Sequence, residues 1–226
     1  MSVVVRTRFH EELAALEATA LGAMDLVVEQ LDRVLLALRE GDTALAELVV
    51  MEDDRIDGRY LEVHQGVLSL LALQAPVAGD LRLIAALLHV IRHIERMGDH
   101  CVNVAKLVPL SAGEPPEGGA LVAMIERMGA AARAEVLQAQ AAFEARSMEL
   151  AADLARQDRE INALNRDVFR EAVAIGGEAE VREWATAMTI VARMLERIGD
   201  HAVDVGEQVA FVIGAHPPRH AIQPSP

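Results

Sequence analysis

Residues 92–104 read RHIERMGDHCVNV, and the pattern recurs 101 positions later, where residues 193–205 read RMLERIGDHAVDV. Both copies follow R-x-x-E-R-x-G-D-H-x-V-(N/D)-V, near the end of each half of the chain. A match of this length indicates two copies of one module. It also singles out the charged residues, because packing alone rarely requires so many charged side chains in one order.

The composition is typical of packed helices. Apolar residues make up 52% of the 226 residues and aromatic residues only 3%, so the core must be built from Ala, Leu and Val. Glycine and proline cluster in a few places instead of recurring at the spacing of short strands, which argues against a β-sandwich or barrel. We therefore expect an all-α fold.

The net charge of −14 and the pI of about 5.0 argue against nucleic acid as a partner, because this field repels a phosphate backbone. An acidic balance suits cations or basic partner surfaces, and it is also common among bacterial proteins. The lone Cys101 fits a reducing compartment. The chain shows no signal peptide and no run near the ~20 apolar residues that span a bilayer. We expect a cytoplasmic protein with at most peripheral contact with membrane complexes.

Six long helices are predicted, because apolar residues recur every three or four positions between breaks. Gly41 ends the first helix and Asp42 caps the second, and Ser147 takes the place of Asp42 at an offset of 105. Helices of ~30 residues with short connections must lie antiparallel. The prediction is two tandem, similar three-helix up-down-up bundles, with helices over about 6–40, 42–73, 77–107, 120–146, 147–175 and 178–213.

The predicted domains follow from one linker. Residues 109–119 read PLSAGEPPEGG, which is typical of a connection. We place the first bundle at residues 1–109 and the second at 118–214. The remaining residues, 215–226, are predicted to form a disordered tail.

The last helix of each bundle carries carboxylates one turn apart, and the middle helix carries a partner pattern. If these helices are antiparallel neighbours, four or more oxygen ligands converge, which suits Mg²⁺, Mn²⁺ or Fe. The predicted divalent metal is Fe, Zn, Mn or Mg. The predicted metal residues are Asp53, Asp57, Glu95, Asp99, Asp158, Asn162, Glu196 and Asp200, with Arg92, Asn103, Arg193 and Asp204 as additional polar site residues.

Two further observations and one alternative bear on this hypothesis. Gly98 and Gly199 precede the second carboxylate in each copy, where glycine costs roughly 1 kcal/mol relative to alanine, which suggests close approach of a backbone or a ligand. The first half has Asp57 and Asn103, whereas the second has Asn162 and Asp204. This exchange keeps the number of carboxylates equal if all of them surround one site. The alternative is a solvated ion-pair face, whose pairs contribute roughly 0–1 kcal/mol each.

The histidines are weaker candidates as metal ligands. His100 and His201 lie about 100° around the helix from the acidic face. His89 and His93 have i,i+4 spacing but lack the Glu of a zinc protease motif. No phosphate loop or nucleophile elbow is present, so no catalytic residue is predicted.

The two motifs, ERMGDHCVN (residues 95–103) and ERIGDHAVD (residues 196–204), together with PVAGDLR (residues 76–82), closely resemble the PhoU family of regulators of bacterial phosphate uptake. The likeness covers about residues 6–213. It implies six helices in two similar bundles, often dimeric. It also implies a non-enzymatic repressor of the phosphate-starvation response that engages a sensor histidine kinase and the ATPase subunit of a phosphate ABC transporter.

The resemblance further implies that a Glu/Asp-x-x-x-Asp pattern binds metal clusters on the bundle surface in some members. Asn162 departs from this pattern, and residues 177–183 replace the PVAGDLR segment in the second half. A metal-dependent hydrolase that uses the surface carboxylates is the alternative function. A structural helical dimer is the third.

Overall fold

The computed structural model describes residues 3–73, 76, 78–111 and 119–214, and every regular element within these ranges is an α-helix, as predicted. The helices are α1 (Val3–Glu40), α2 (Thr43–Glu52), α3 (Asp54–Leu73), α4 (Ala78–Ala105), α5 (Val108–Ser111), α6 (Ala120–Ala145), α7 (Met148–Ala174) and α8 (Ala179–Ile213). None of these helices is long and apolar enough to cross a membrane.

The predicted helix boundaries at the start of each second helix are confirmed. Gly41 ends α1 with a φ of 64°, a left-handed conformation that glycine adopts without strain. The Asp42 carboxylate caps α2 by accepting the Leu45 N–H at 2.9 Å, and the Ser147 hydroxyl caps α7 by accepting the Leu150 N–H at 3.3 Å. The two repeats therefore begin their middle helices with the same device.

Two local predictions are wrong. The predicted 42–73 helix is divided at Asp53, whose carbonyl accepts the Ile56 N–H at 2.8 Å in a tighter turn. The predicted linker begins too early, because Pro109 lies inside the short helix α5, where a first-turn proline loses no hydrogen bond. Residues 112–118 and the predicted tail, 215–226, lie outside the described residues, and the domain limits stay a prediction.

The helices pack as two three-helix units, α1–α3–α4 and α6–α7–α8, which meet along two seams. At the α4–α8 seam the helices are antiparallel, because Arg82 near the start of α4 donates to the Val212 carbonyl near the end of α8 at 3.3 Å. At the α1–α6 seam, Arg133 pairs with Asp32 at 2.7 Å. A continuous apolar core runs through both units, so the halves support each other.

Candidate functional site

The first acidic face, defined as Gln30, Asp53, Asp57, Glu95 and Asp99, is built around the break between α2 and α3. The Asp53 carboxylate accepts a hydrogen bond from the buried Gln30 amide of α1 at 3.0 Å. Burial raises the pKa of Asp53, the Gln30 bond opposes this, and repulsion from Asp57 and Asp99 raises the pKa further. The break in the helix thus places a carboxylate where three helices meet.

On α4, Glu95 and Asp99 complete this face. Burial raises the pKa of Glu95, and repulsion from Asp99 and Asp57 adds to the effect. The buried Oε2 atom of Glu95 has no hydrogen-bond partner and only a 3.6 Å ion-pair contact with Arg96, which pairs more closely with Asp99 at 3.0 Å. The four predicted carboxylates of the first half therefore share one face and repel one another.

The second acidic face lies between α7 and α8 and consists of Glu135, Asp158, Asn162, Glu196 and Asp200. Burial and repulsion from Asp200 raise the pKa of Asp158 to about 6, although the Asn162 amide donates to its carboxylate. Glu196 is buried and pairs with Arg193. The four residues predicted for the second half thus occupy the positions that their first-half counterparts occupy.

Sequence reasoning missed Glu135. This residue of α6 is 1% exposed, and neither of its carboxylate oxygens has a hydrogen-bond partner. Burial raises its pKa to about 8, and repulsion from Asp158 and Asp200 contributes. The signal was available, because Glu135 follows Gln30 at the same offset of 105 that relates Asp53 to Asp158.

The two motif glycines, Gly98 and Gly199, leave room for carboxylate side chains next to the helix backbone. A Cβ atom at Gly98 would lie 3.0 Å from the Asp53 Oδ1 atom, and one at Gly199 would lie 2.7 Å from the Glu135 Oε2 atom and 3.1 Å from the Asp158 Oδ1 atom. The predicted close approach exists, but the groups that approach are side chains: these carboxylates, with Ile56 at 3.0 Å from a Cβ at Gly98 and Ile161 at 3.1 Å from one at Gly199. Glycine at these positions leaves room for both kinds of side chain against the helix backbone.

Each face carries four carboxylates, but the predicted exchange of residues was wrong. Asn103 is exposed, and Asp204 lies at the α4–α8 seam beside His93 and His201. The structure shows a different exchange. Gln30 and Asp57 of the first face are replaced by Glu135 and Asn162 in the second, so the amide and the carboxylate change places. The motif spacing predicted Asp204 on the acidic face, but the packing of α8 against α4 puts it at the seam between these two helices.

The predicted arginines lie at the rim of the faces. Arg92 is exposed and lowers the pKa of Glu95 through its charge, opposing the larger effect of burial. Arg193 is also exposed and pairs with Glu196. Each face thus has positively charged arginine side chains at its edge and carboxylates without a close cationic partner at its centre.

The donor set of the faces fits a hard divalent cation, because it is all oxygen and includes buried atoms without partners on Glu95, Glu135 and Asp158. The predicted convergence of four or more oxygen ligands is not seen among the described residues, because the donors are spread along the faces. Within the described ranges, the one group of three residues whose ligand atoms all lie within 4.8 Å is His93, His201 and Asp204. The fit of the faces therefore rests on their chemistry and their buried unpaired oxygens.

The fold and these faces define a class of protein: a duplicated helical bundle with one acidic face on each repeat. The PhoU domain model matches residues 22–108 and 125–209, which are most of the two repeats. The chain belongs to the PhoU family.

Similar proteins match along nearly their whole length. One is a phosphate-specific transport system accessory protein PhoU homolog of Clostridium acetobutylicum, 29% identical over 212 residues, with 93% of this chain and 96% of that protein covered. Another is PhoU homolog 2 of Mycobacterium tuberculosis, 32% identical over 221 residues, with 94% and 100% covered.

Solved structures agree in fold. The crystal structure of PhoU from Pseudomonas aeruginosa superposes with a TM-score of 0.85 at 28% identity, covering 91% of this chain and 99% of that one. The phosphate transport system regulatory protein PhoU from Streptococcus pneumoniae gives 0.81 at 26% identity, covering 91% and 96%.

Proposed function

We propose that this protein is a cytoplasmic regulatory adaptor of phosphate transport. We also propose that its two acidic faces bind divalent cations and contact partner proteins. The names of its relatives, accessory proteins of the phosphate-specific transport system, support the general role. The proposed partners are the ATPase subunit of a phosphate transporter and a sensor histidine kinase. A homodimer is the proposed working form.

One observation carries the proposal for the faces. Each repeat buries carboxylate oxygens without hydrogen-bond partners, on Glu95 in the first face and on Glu135 and Asp158 in the second. A buried unpaired carboxylate is costly unless a proton or a cation compensates it. Both repeats keep such unfavourable oxygens in their acidic faces, although at different positions, which favours a functional reason over a solvated ion-pair face.

The residues that would hold cations are the carboxylates of each face. A bound divalent cation would supply positive charge that neutralises the mutual repulsion of these groups. Asp53 and Glu95 approach from different helices, as do Asp158 and Asp200, so loading a face would tie the middle helix to the last helix. The exposed rim arginines and the remaining carboxylates then present a charged surface to a partner.

We propose a non-enzymatic role. Among the described residues, a cavity of about 770 Å³ lies at the α1–α6 seam, lined by Leu35, Val122 and Trp184 among others, and no carboxylate of either face lines it. The faces lie on helix surfaces, which are too shallow to enclose and orient a substrate.

The test is a reporter strain in which the gene is replaced by a Glu95→Ala/Asp99→Ala variant. In phosphate-rich medium we expect phosphate-starvation genes to be derepressed, because the first face can no longer hold a cation or dock a partner. The matched control is Asp167→Ala, which removes a surface carboxylate paired with Arg170 at 2.9 Å.

Both variants must be present at wild-type protein levels, measured by immunoblotting. Reporter activity that stays repressed in the Glu95→Ala/Asp99→Ala strain at normal protein level would contradict the proposed role of the face. Derepression in the Asp167→Ala strain would show that any loss of surface charge has the same effect.

A further inference from the structure

The seam between α4 and α8 brings the two motif histidines together. His100 and His201 occupy the same position of the repeated motif, and their rings stack with centroids 5.5 Å apart and planes inclined by 11°. Because α4 and α8 are antiparallel, the repeats are related across this seam by a pseudo-two-fold axis. Residues at this seam therefore occur in pairs of equivalent positions, which allows one side to be compared with the other.

On one side of this axis, three donor atoms form a compact triangle. The His93 Nδ1 atom lies 3.1 Å from the His201 Nδ1 atom and 3.3 Å from the Asp204 Oδ2 atom. The His201 Nδ1 and Asp204 Oδ2 atoms are 3.6 Å apart. His93 comes from the first repeat and the other two residues come from the second, so the triangle spans the halves.

We propose that His93, His201 and Asp204 form a binding site for a borderline divalent transition metal, with Zn²⁺ as the best fit. Ligands at the usual Zn–N and Zn–O lengths of about 2.0–2.1 Å define a tetrahedron with edges of about 3.3 Å. The three measured separations lie close to this edge. The triangle therefore has the ligand spacing of a tetrahedral ion, which would replace the hydrogen-bond contact between the two Nδ1 atoms.

The donor set distinguishes this site from the acidic faces. Two imidazoles and one carboxylate suit Zn²⁺ and its transition-metal neighbours, whereas all-oxygen faces suit hard cations. The three side chains are partly exposed, at 23%, 18% and 45% for His93, His201 and Asp204, so the fourth ligand position opens to solvent.

The other side of the axis provides an internal comparison. The positions equivalent to His93, His201 and Asp204 are Met194, His100 and Asn103, which retain one nitrogen donor and no carboxylate. The Nδ1 atom of His100 is buried and has no hydrogen-bond partner. The site is therefore built on one side only, and we expect one such ion per chain.

The experiment measures Zn²⁺ binding to the full-length protein, by competition with a chromophoric chelator, and the visible spectrum of the Co²⁺-substituted protein. The wild-type protein should bind one Zn²⁺ tightly and give the intense bands of four-coordinate Co²⁺, which six-coordinate ions on the carboxylate faces do not produce. This result does not depend on the proposed function of the faces.

The variant that removes the site is His93→Met/Asp204→Asn, which introduces the residues found at the equivalent positions. We expect affinity to fall by at least about 100-fold and the intense Co²⁺ bands to disappear, since two of three ligands are lost. The control is His100→Gln, which alters the stacked ring but no donor atom and should keep affinity within a few fold. Circular dichroism checks that each variant is folded.

The reverse design is Met194→His/Asn103→Asp, which places the missing donors beside His100. We expect two equivalents of tightly bound Zn²⁺ and a doubled Co²⁺ absorbance. Zn²⁺ affinity that is unchanged in the folded His93→Met/Asp204→Asn variant would overturn the site. A reverse variant that still binds one equivalent would contradict the geometric explanation.

Discussion

The first acidic face carries its fourth carboxylate on the exposed Asp57, whereas the second carries it on the fully buried Glu135. The buried position of the first face is Gln30, an amide that donates to Asp53. The equivalent position of the second face is a carboxylate that finds no donor. The number of carboxylates is equal, but only the second face places a carboxylate without a donor at this buried position.

The largest expected effect follows from removing opposed carboxylates from one face. In Asp158→Ala/Asp200→Ala, Mn²⁺ affinity at the second face should fall by about 100-fold, because ligands from both α7 and α8 are lost. Sites on the first face should be unaffected. Titration calorimetry or electron paramagnetic resonance of Mn²⁺ would measure stoichiometry, with Asp167→Ala as the matched control. An unchanged stoichiometry would show that the second face does not bind the cation.

The next effect concerns the buried charge. The pKa of Glu135 is about 8 against an ordinary value of 4.5, so between these values the folded chain binds more protons than the unfolded chain. The contribution of Glu135 to stability must then fall as pH rises from about 4.5 to 8. Glu135→Gln removes this dependence and supplies the amide found in the first face, so in cation-free buffer at pH 8 we expect Tm to rise by about 4 °C.

The reciprocal variant makes this prediction sharper. Gln30→Glu adds a buried carboxylate to the first face beside Asp53 and removes the bond that stabilises it. Its Tm should fall at pH 8 and approach that of the wild type at pH 4.5, where the new carboxyl is largely protonated. Thermal melts at the two pH values would decide, and a Glu135→Gln variant less stable than the wild type at pH 8 would contradict the account.

The smallest effect distinguishes the two glycines. Alanine in a helix is favoured over glycine by about 1 kcal/mol, which partly offsets any clash. Gly98→Ala meets the Asp53 carboxylate at 3.0 Å and Gly199→Ala meets Glu135 at 2.7 Å. We expect the free energy of unfolding to fall more for Gly199→Ala, by roughly 1 kcal/mol in urea melts. Equal effects of the two substitutions would indicate equivalent packing.

Much of the fold could be predicted from the sequence because its signals are local. The periodic apolar residues, Gly41 and the caps Asp42 and Ser147 act within a few residues of the helix ends they define. The break at Asp53 could not be predicted, because Asp53 lies within a continuous helical pattern and its partner Gln30 is distant in sequence.

The candidate sites show the same limit. The duplicated motif indicated most of the acidic residues, but Glu135 was missed because its counterpart Gln30 is not acidic. The grouping of His93 with His201 and Asp204 depends on how the two repeats pack across the α4–α8 seam. Patterns along single helices hold no information about that packing.

We infer that the two faces are two copies of one cation site. They differ in the position of one carboxylate, which is Asp57 in the first face and Glu135 in the second. The most direct test is Glu135→Gln/Asn162→Asp, which gives the second face the charge arrangement of the first. Mn²⁺ titration should show unchanged stoichiometry and affinity within a few fold, together with a higher Tm in cation-free buffer at pH 8. Loss of Mn²⁺ binding at the second face in this folded variant would contradict the claim.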